Sequence, residues 1–122
     1  MPTQEDFRII FEQFKPILQK YESRLVVTQN GTDGYSLNTP FSAKWGKELF
    51  FGAVQIKKNY VSFHLMPIYM YPDLLDGISD NLRKRMQGKS CFNFTASDKK
   101  LFAELSKLTK QSVDRVKKEE LL

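Results

Sequence analysis

Two alternating runs, "ELFFGAVQIK" and "YVSFHLM", flank Lys58-Asn59 and constrain the fold more than any other stretch. Both are rich in β-branched and aromatic residues, so each predicts a strand, and the short polar link predicts an antiparallel hairpin. In the second run Val61, Phe63 and Leu65 alternate with Tyr60, Ser62 and His64. Successive side chains of a strand point to opposite faces, so one face of this hairpin is apolar and the other polar. The apolar face must be covered by other parts of the chain.

Amphipathic segments on either side can supply that cover. Phe7, Ile10, Phe11, Phe14, Leu18 and Tyr21 recur at helical spacing, which predicts a helix over residues 4–22, kinked or restarted at Pro16. "RLVVTQ" reads as a strand, "NGTDG" as a turn, "YSLNT" as a short strand and "PFSAKWGK" as a loop. Pro67 ends the hairpin, and "PIYMYP" reads as an irregular crossing. Pro72 opens a helical stretch carrying Leu74, Leu75, Ile78, Leu82 and Met86. Gly77 and Ser79 split it, with Ser79 as N-cap of the second helix. "SCFNFT" is a strand, and Ser97 caps a last helix bearing Leu101, Phe102, Leu105 and Leu108, which "SVDRVKKEELL" either continues or follows with another turn of helix. This order predicts an α+β fold: an antiparallel β-sheet with helices packed mainly on one face, in a single domain over residues 1–122.

Composition excludes several function classes. With ten Phe, five Tyr and one Trp in 122 residues, the chain has material for a true core and is not disordered. A single cysteine forms no internal disulfide, so a reducing, cytoplasmic setting is expected. The sequons at Asn30 and Asn93 are then accidental. The start, "MPTQEDFRIIFEQF", lacks the basic and apolar blocks of a signal peptide, and no run is long enough to span a bilayer, so no membrane partner is expected. A formal net charge of +5 admits an anionic partner. Binding to nucleic acid through that excess would be weak, non-specific and lost as salt rises.

The densest chemistry lies in "LRKRMQGKSCFNF", residues 82–94. Gly88-Lys89-Ser90 matches the end of a phosphate-binding loop, but Arg83 stands where the pattern needs its first glycine, and a helix precedes the motif where a strand should. Arg83, Lys84 and Arg85 suit the end of a helix, with Gly88 as the left-handed residue that closes it. The alternative makes Arg83, Arg85 and Lys89 an anion site. Beyond the glycine, alternation places Ser90, Phe92 and Phe94 toward the core and Lys89, Cys91 and Asn93 on the outer face. Ser62 and His64 fall on that same face. Ser62, His64, Lys89, Cys91 and Asn93 are therefore the candidate ligand-binding residues, in a pocket partly lined by Phe51 and Tyr60. The same face suits a homodimer. A second alternative makes Cys91 and His64 the nucleophile and base of a thiol-dependent enzyme. One Cys and one His fall short of the usual metal ligand set, and no cofactor motif is legible. Phe51, Tyr60, Tyr69 and Tyr71 offer rings on which bases can stack.

A family resemblance rests on "ELFFGAVQIKKNYVSFHLMPIY", "ISDNLRKRMQGKSCFNF" and "LFAELSKLT", with "KRMQGKSCFNF" its strongest part. Over roughly positions 46 to 110 the chain resembles the YdhG-like family of small bacterial domains of unknown function. The resemblance implies a frataxin-like αβ sandwich and, for some members, a role in iron handling. Frataxin-type iron sites follow an acidic ridge on the first helix, where this chain has Glu5, Asp6 and Glu12 interleaved with Arg8, Lys15 and Lys20. The family supplies no catalytic residues to carry over. The sequence thus describes a small binding or scaffold domain, its ligand or protein partner unidentified.

Overall fold

The structure is a computed structural model that describes residues 3–121. It is an α+β fold: a six-stranded, wholly antiparallel sheet with its helices on one face. Helix α1 spans Gln4–Gln19 and is followed by strands β1 (Val26–Asn30), β2 (Gly34–Asn38), β3 (Phe50–Ile56) and β4 (Val61–Leu65). Then come α2 (Met66–Met70), a 3-10 turn over Pro72–Leu75, α3 (Asp80–Arg83), β5 (Met86–Gln87), β6 (Cys91–Phe94) and α4 (Lys99–Lys118). The strands lie in the order β1-β2-β3-β4-β6-β5, which leaves β1 and β5 at the edges.

Each long helix starts at a side chain that satisfies free backbone N–H groups. Thr3 Oγ1 accepts from the Asp6 N–H while the Asp6 carboxylate accepts from the Thr3 N–H, a reciprocal capping box. Phe7, Ile10, Phe11, Phe14 and Leu18 of α1 are then buried against the sheet. Of the kink or restart expected at Pro16, the restart does not occur: the helix runs unbroken through it. At α4 the cap is Asp98, whose Oδ1 accepts from the Leu101 N–H at 3.1 Å. Ser97, the expected cap, instead donates to Gln13 Oε1 of α1 at 2.7 Å. The helices are joined to the sheet by Phe14, whose ring meets Phe63, Phe94 and Phe102 edge-on at 5.3, 5.1 and 4.5 Å. Edge-to-face pairing matches the positive ring edge to the negative ring face.

The alternation expected of the strands holds. Val61, Phe63, Leu65, Phe92 and Phe94 all face the helices and are buried. Ser79 caps α3 as expected, its Oγ accepting from the Leu82 N–H at 3.1 Å.

Three stretches differ from the sequence reading. "MPIYM" forms a short helix rather than an irregular crossing, because Pro67 falls in its first turn, where no N–H is needed. Helix α3 ends at Arg83, so Met86 belongs to an edge strand and Gly88 closes the β5–β6 hairpin instead of a helix. Its φ is +78°, the left-handed value expected, in a different role. Finally, the loop between β2 and β3 extends their ladder into an arm. The Thr39 N–H donates to Leu49 O and the Ser42 N–H to Lys47 O, and Gly46 turns the tip at φ +70°. Phe41 and Trp45 stand out from this arm at 67% and 50% exposure.

Candidate functional site

Two cross-strand rows build a hollow on the helix-free face. The first row is Ser36, Ala53, His64 and Cys91, one residue from each of β2, β3, β4 and β6. The second is Gly34, Gln55, Ser62 and Asn93. Small side chains at Ser36, Ala53 and Ser62 lower the middle of the sheet, and Phe50, Tyr60, His64 and Gln87 line the hollow with them. The result is a cleft of about 290 Å³ whose lining comes only from strands and from the β3–β4 turn.

Ser62, His64, Cys91 and Asn93, placed together by alternation, all line this cleft. Leu65 donates its N–H to Ser90 O at 3.0 Å, so the adjacent pair, His64 and Cys91, occupies a position without ladder hydrogen bonds. Such pairs bring their Cα atoms to about 4.5 Å, closer than the bonded pairs. The two reactive side chains are therefore immediate neighbours.

Lys89 does not join them. It lies in the turn before β6, where the chain reverses and alternation no longer applies. Its ammonium sits 5.9 Å from the centre of the Tyr69 ring, at a separate apolar groove formed with Ile68, Pro72, Leu75 and Met86. Ser90 departs from the pattern for the same reason. Its hydroxyl turns to His64, with Oγ and Nε2 2.6 Å apart. Phe51 is also displaced. Leu37 pairs with Gly52 but Asn38 pairs with Phe50, so Phe51 is the extra residue of a bulge and turns into the core. A bulge of this kind re-aims the side chains that follow it. Phe50 takes the place expected of Phe51, its ring edge-on to His64 at 4.9 Å.

The electrostatics of the cleft are mild. Burial holds the His64 imidazole below its ordinary range, so the ring is neutral at pH 7. Burial likewise pushes the Cys91 thiol up, and the positive charge of Lys57 only partly opposes it. A thiol raised by burial is a poor nucleophile, because the thiolate is the reactive form. His64 Nε2 is engaged by Ser90. The pair is adjacent but not activated.

The other candidate clusters disperse. Arg83 donates to Leu75 O at 2.9 Å, Arg85 stacks 5.8 Å from the Phe94 ring centre, and Lys89 lies over Tyr69. Each of these three cations is thus engaged with a different group. Tyr69 and Tyr71 stand in α2 and just after it, away from the sheet face, and Arg115 covers the Tyr71 ring at 5.0 Å. The face expected to suit a second subunit presents hydroxyls and carboxamides beside Phe50, Ala53 and Tyr60. Among the described residues no group of three or more His, Cys, Asp or Glu is placed to hold a metal ion. Among the same residues no helix is long and apolar enough to cross a membrane.

A larger cleft of about 440 Å³ lies between α4 and residues 73–78, and several of its polar groups are paired. Arg115 pairs with Asp73, Glu104 accepts from both the N–H and the hydroxyl of Ser79, and Asp114 pairs with Lys110. Lys107, Gln111 and Lys118 also line it, and none of the sequence-predicted site residues does.

The sequence reading missed Phe50, Gln55, Lys57 and Ser36 at the site and the exposed aromatics of the arm. Gln55 and Lys57 were legible in principle, since they share the parity of Ala53 on β3. Comparison with family models, with curated proteins and with solved structures gives no match.

Proposed function

We propose that this chain is a small cytoplasmic binding domain of the YdhG-like type, and that its ligand is a small polar molecule held on the helix-free face of the sheet. Ser62, His64 and Asn93 supply the polar contacts, and Phe50 supplies a flat wall beside the imidazole. The observation that carries this reading is the convergence of Ser62, His64, Cys91 and Asn93 in one cleft left open by every helix. Mixed polar and aromatic walls around a concavity are the usual make-up of small-ligand sites. Binding is favoured over catalysis because the thiol stays protonated and the imidazole is engaged by Ser90. The iron role implied by the family resemblance draws no support from the His64–Cys91 pair alone.

The test uses the fact that the chain has one histidine. Small-molecule fragments are screened by NMR with the His64 ring protons as the reporter. Fragments that bind should shift those signals, and Gln55→Trp, which fills the cleft from the solvent side, should abolish the response. If fragments bind without moving His64, or bind Gln55→Trp equally well, the reading fails.

A second reading, single-stranded nucleic acid, is favoured only by the exposed Phe41 and Trp45 beside Lys44 and Lys47. Rings with neighbouring cations can stack on bases and neutralise phosphates. Quenching of the sole tryptophan by an oligonucleotide, reversed by salt, would support it.

A further inference from the structure

We infer that the cleft selects ligands carrying a single negative charge, with the anionic group at Lys57 and a flat body against Phe50 and His64. The inference rests on the small-ligand reading above and names the class of molecule the cleft prefers.

Among the described residues Lys57 is the one formal cation of the lining, and no Asp or Glu contributes to it. The remaining polar groups are neutral. Ser36, Ser62 and Tyr60 offer hydroxyls, and Gln55 and Asn93 offer carboxamides. All of these can donate to a carboxylate oxygen, and none needs to lose a proton first. A cationic ligand would find no counter-charge here. A dianion would keep one charge unmatched.

Lys57 is placed to act on the cleft. It opens the β3–β4 turn, where its N–H donates to Tyr60 O at 2.8 Å. This bond fixes the backbone from which the side chain leaves. Its positive charge reaches the interior of the hollow, where it is felt at Cys91 on the second strand over. At the opposite end, Phe50 and His64 meet at 68° with centres 4.9 Å apart, giving a step of two rings. A ligand spanning both ends therefore needs an anion on one side and a planar body on the other. The cleft volume, about 290 Å³, holds only a small molecule of that shape.

The experiment compares isosteric acid and amide pairs: nicotinate with nicotinamide, benzoate with benzamide, and picolinate with picolinamide. Affinities are read from the His64 ring signals and from protection of Cys91 against a neutral alkylating reagent. Each carboxylate should bind about fivefold tighter than its amide at low salt, the scale of one exposed ion pair. Lys57→Met should remove that difference and leave amide binding intact. Equal binding of acid and amide, or an acid preference that survives Lys57→Met, overturns the charge selectivity while leaving the cleft as a binding site. If neither member of any pair moves His64 or protects Cys91, the selectivity fails. If the fragment screen also leaves His64 unmoved, the binding reading fails with it.

Discussion

Replacing Gly52 by alanine would place a methyl group where the sheet and the first helix leave no room. Gly52 lies in the middle of β3, paired with Leu37 on one side and Leu65 on the other. A Cβ there would stand 2.8 Å from the carbonyl oxygen of His64, 3.3 Å from Leu18 Cδ2 and 3.4 Å from Leu65 Cδ2. The nearest atom is backbone, so relief requires β3 and β4 to part or α1 to lift. Overpacking of this kind costs roughly 1–3 kcal/mol. Alanine recovers about 0.5–1 kcal/mol through the smaller entropy of its unfolded chain. The net loss centres a little above about 1 kcal/mol and reaches at most about 2.5 kcal/mol, or several degrees in Tm for a domain of this length. Gly34→Ala is the control. Its Cβ would meet only the carboxamide end of Gln29, at 2.5 Å, and that exposed side chain can swing away. It should melt within about 2 °C of the parent. Thermal unfolding followed by far-UV circular dichroism compares all three proteins. Because the clashing oxygen belongs to His64, Gly52→Ala should also shift the His64 ring signals in the native state. A Gly52→Ala protein as stable as the parent, or no more destabilised than Gly34→Ala, would refute the close approach of β3 to His64 and α1.

Three further outcomes follow from the same geometry. Burial lowers the His64 pKa below the unfolded value of about 6.5, so the unfolded chain binds the extra proton more readily and stability must fall as pH drops from 6.5 through the folded pKa. His64→Gln should flatten that part of the Tm–pH curve, and an unchanged slope would place the titration elsewhere. Cys91 should alkylate slowly in the native protein at pH 7 and only approach free-thiol rates well above the ordinary thiol pKa of about 8.5; rapid labelling near neutral pH would reveal an activated thiolate instead. Gly88→Ala should cost about 1 kcal/mol from backbone strain alone, since φ is +78° and a Cβ there meets nothing within 4 Å; an unaltered denaturation midpoint would show that the hairpin turn can relax.

What the sequence made legible was parity. Val61, Phe63 and Leu65 on one strand and Phe92 and Phe94 on another must be buried, so Ser62, His64, Cys91 and Asn93 had to share the other face. That inference needs no knowledge of the partner strand. Phe50 and Phe51 did need it, because the bulge that exchanges their roles arises where β3 has one residue more than β2 between paired positions. Two adjacent phenylalanines give no local sign of which one turns inward. Lys89 and Ser90 failed at a chain reversal, where period-two arguments end. Met86 misled because it stands four residues after Leu82, a spacing that suits one more turn of helix, yet α3 is only four residues long and pairing with Phe92 prevails. The capping exchange between Ser97 and Asp98 is of the same sort: both are good caps, and the hydrogen bond from Ser97 to Gln13 across to α1 decides between them.

The arm between β2 and β3 has a practical bearing on every optical measurement of this protein. Its Trp45 is the sole tryptophan, half exposed on a tip held by a few backbone hydrogen bonds, while the aromatic core around Phe14 contains no indole. Native emission should already sit near the red end expected of a hydrated indole. Unfolding the core changes the surroundings of that indole little, so a fluorescence titration with urea would report fraying of one hairpin and give a shallow, early curve. Circular dichroism, or the single histidine as an NMR signal, would follow the cooperative loss of the sheet. Disagreement between the two kinds of trace would then be a property of where one residue stands, and no sign of a folding intermediate.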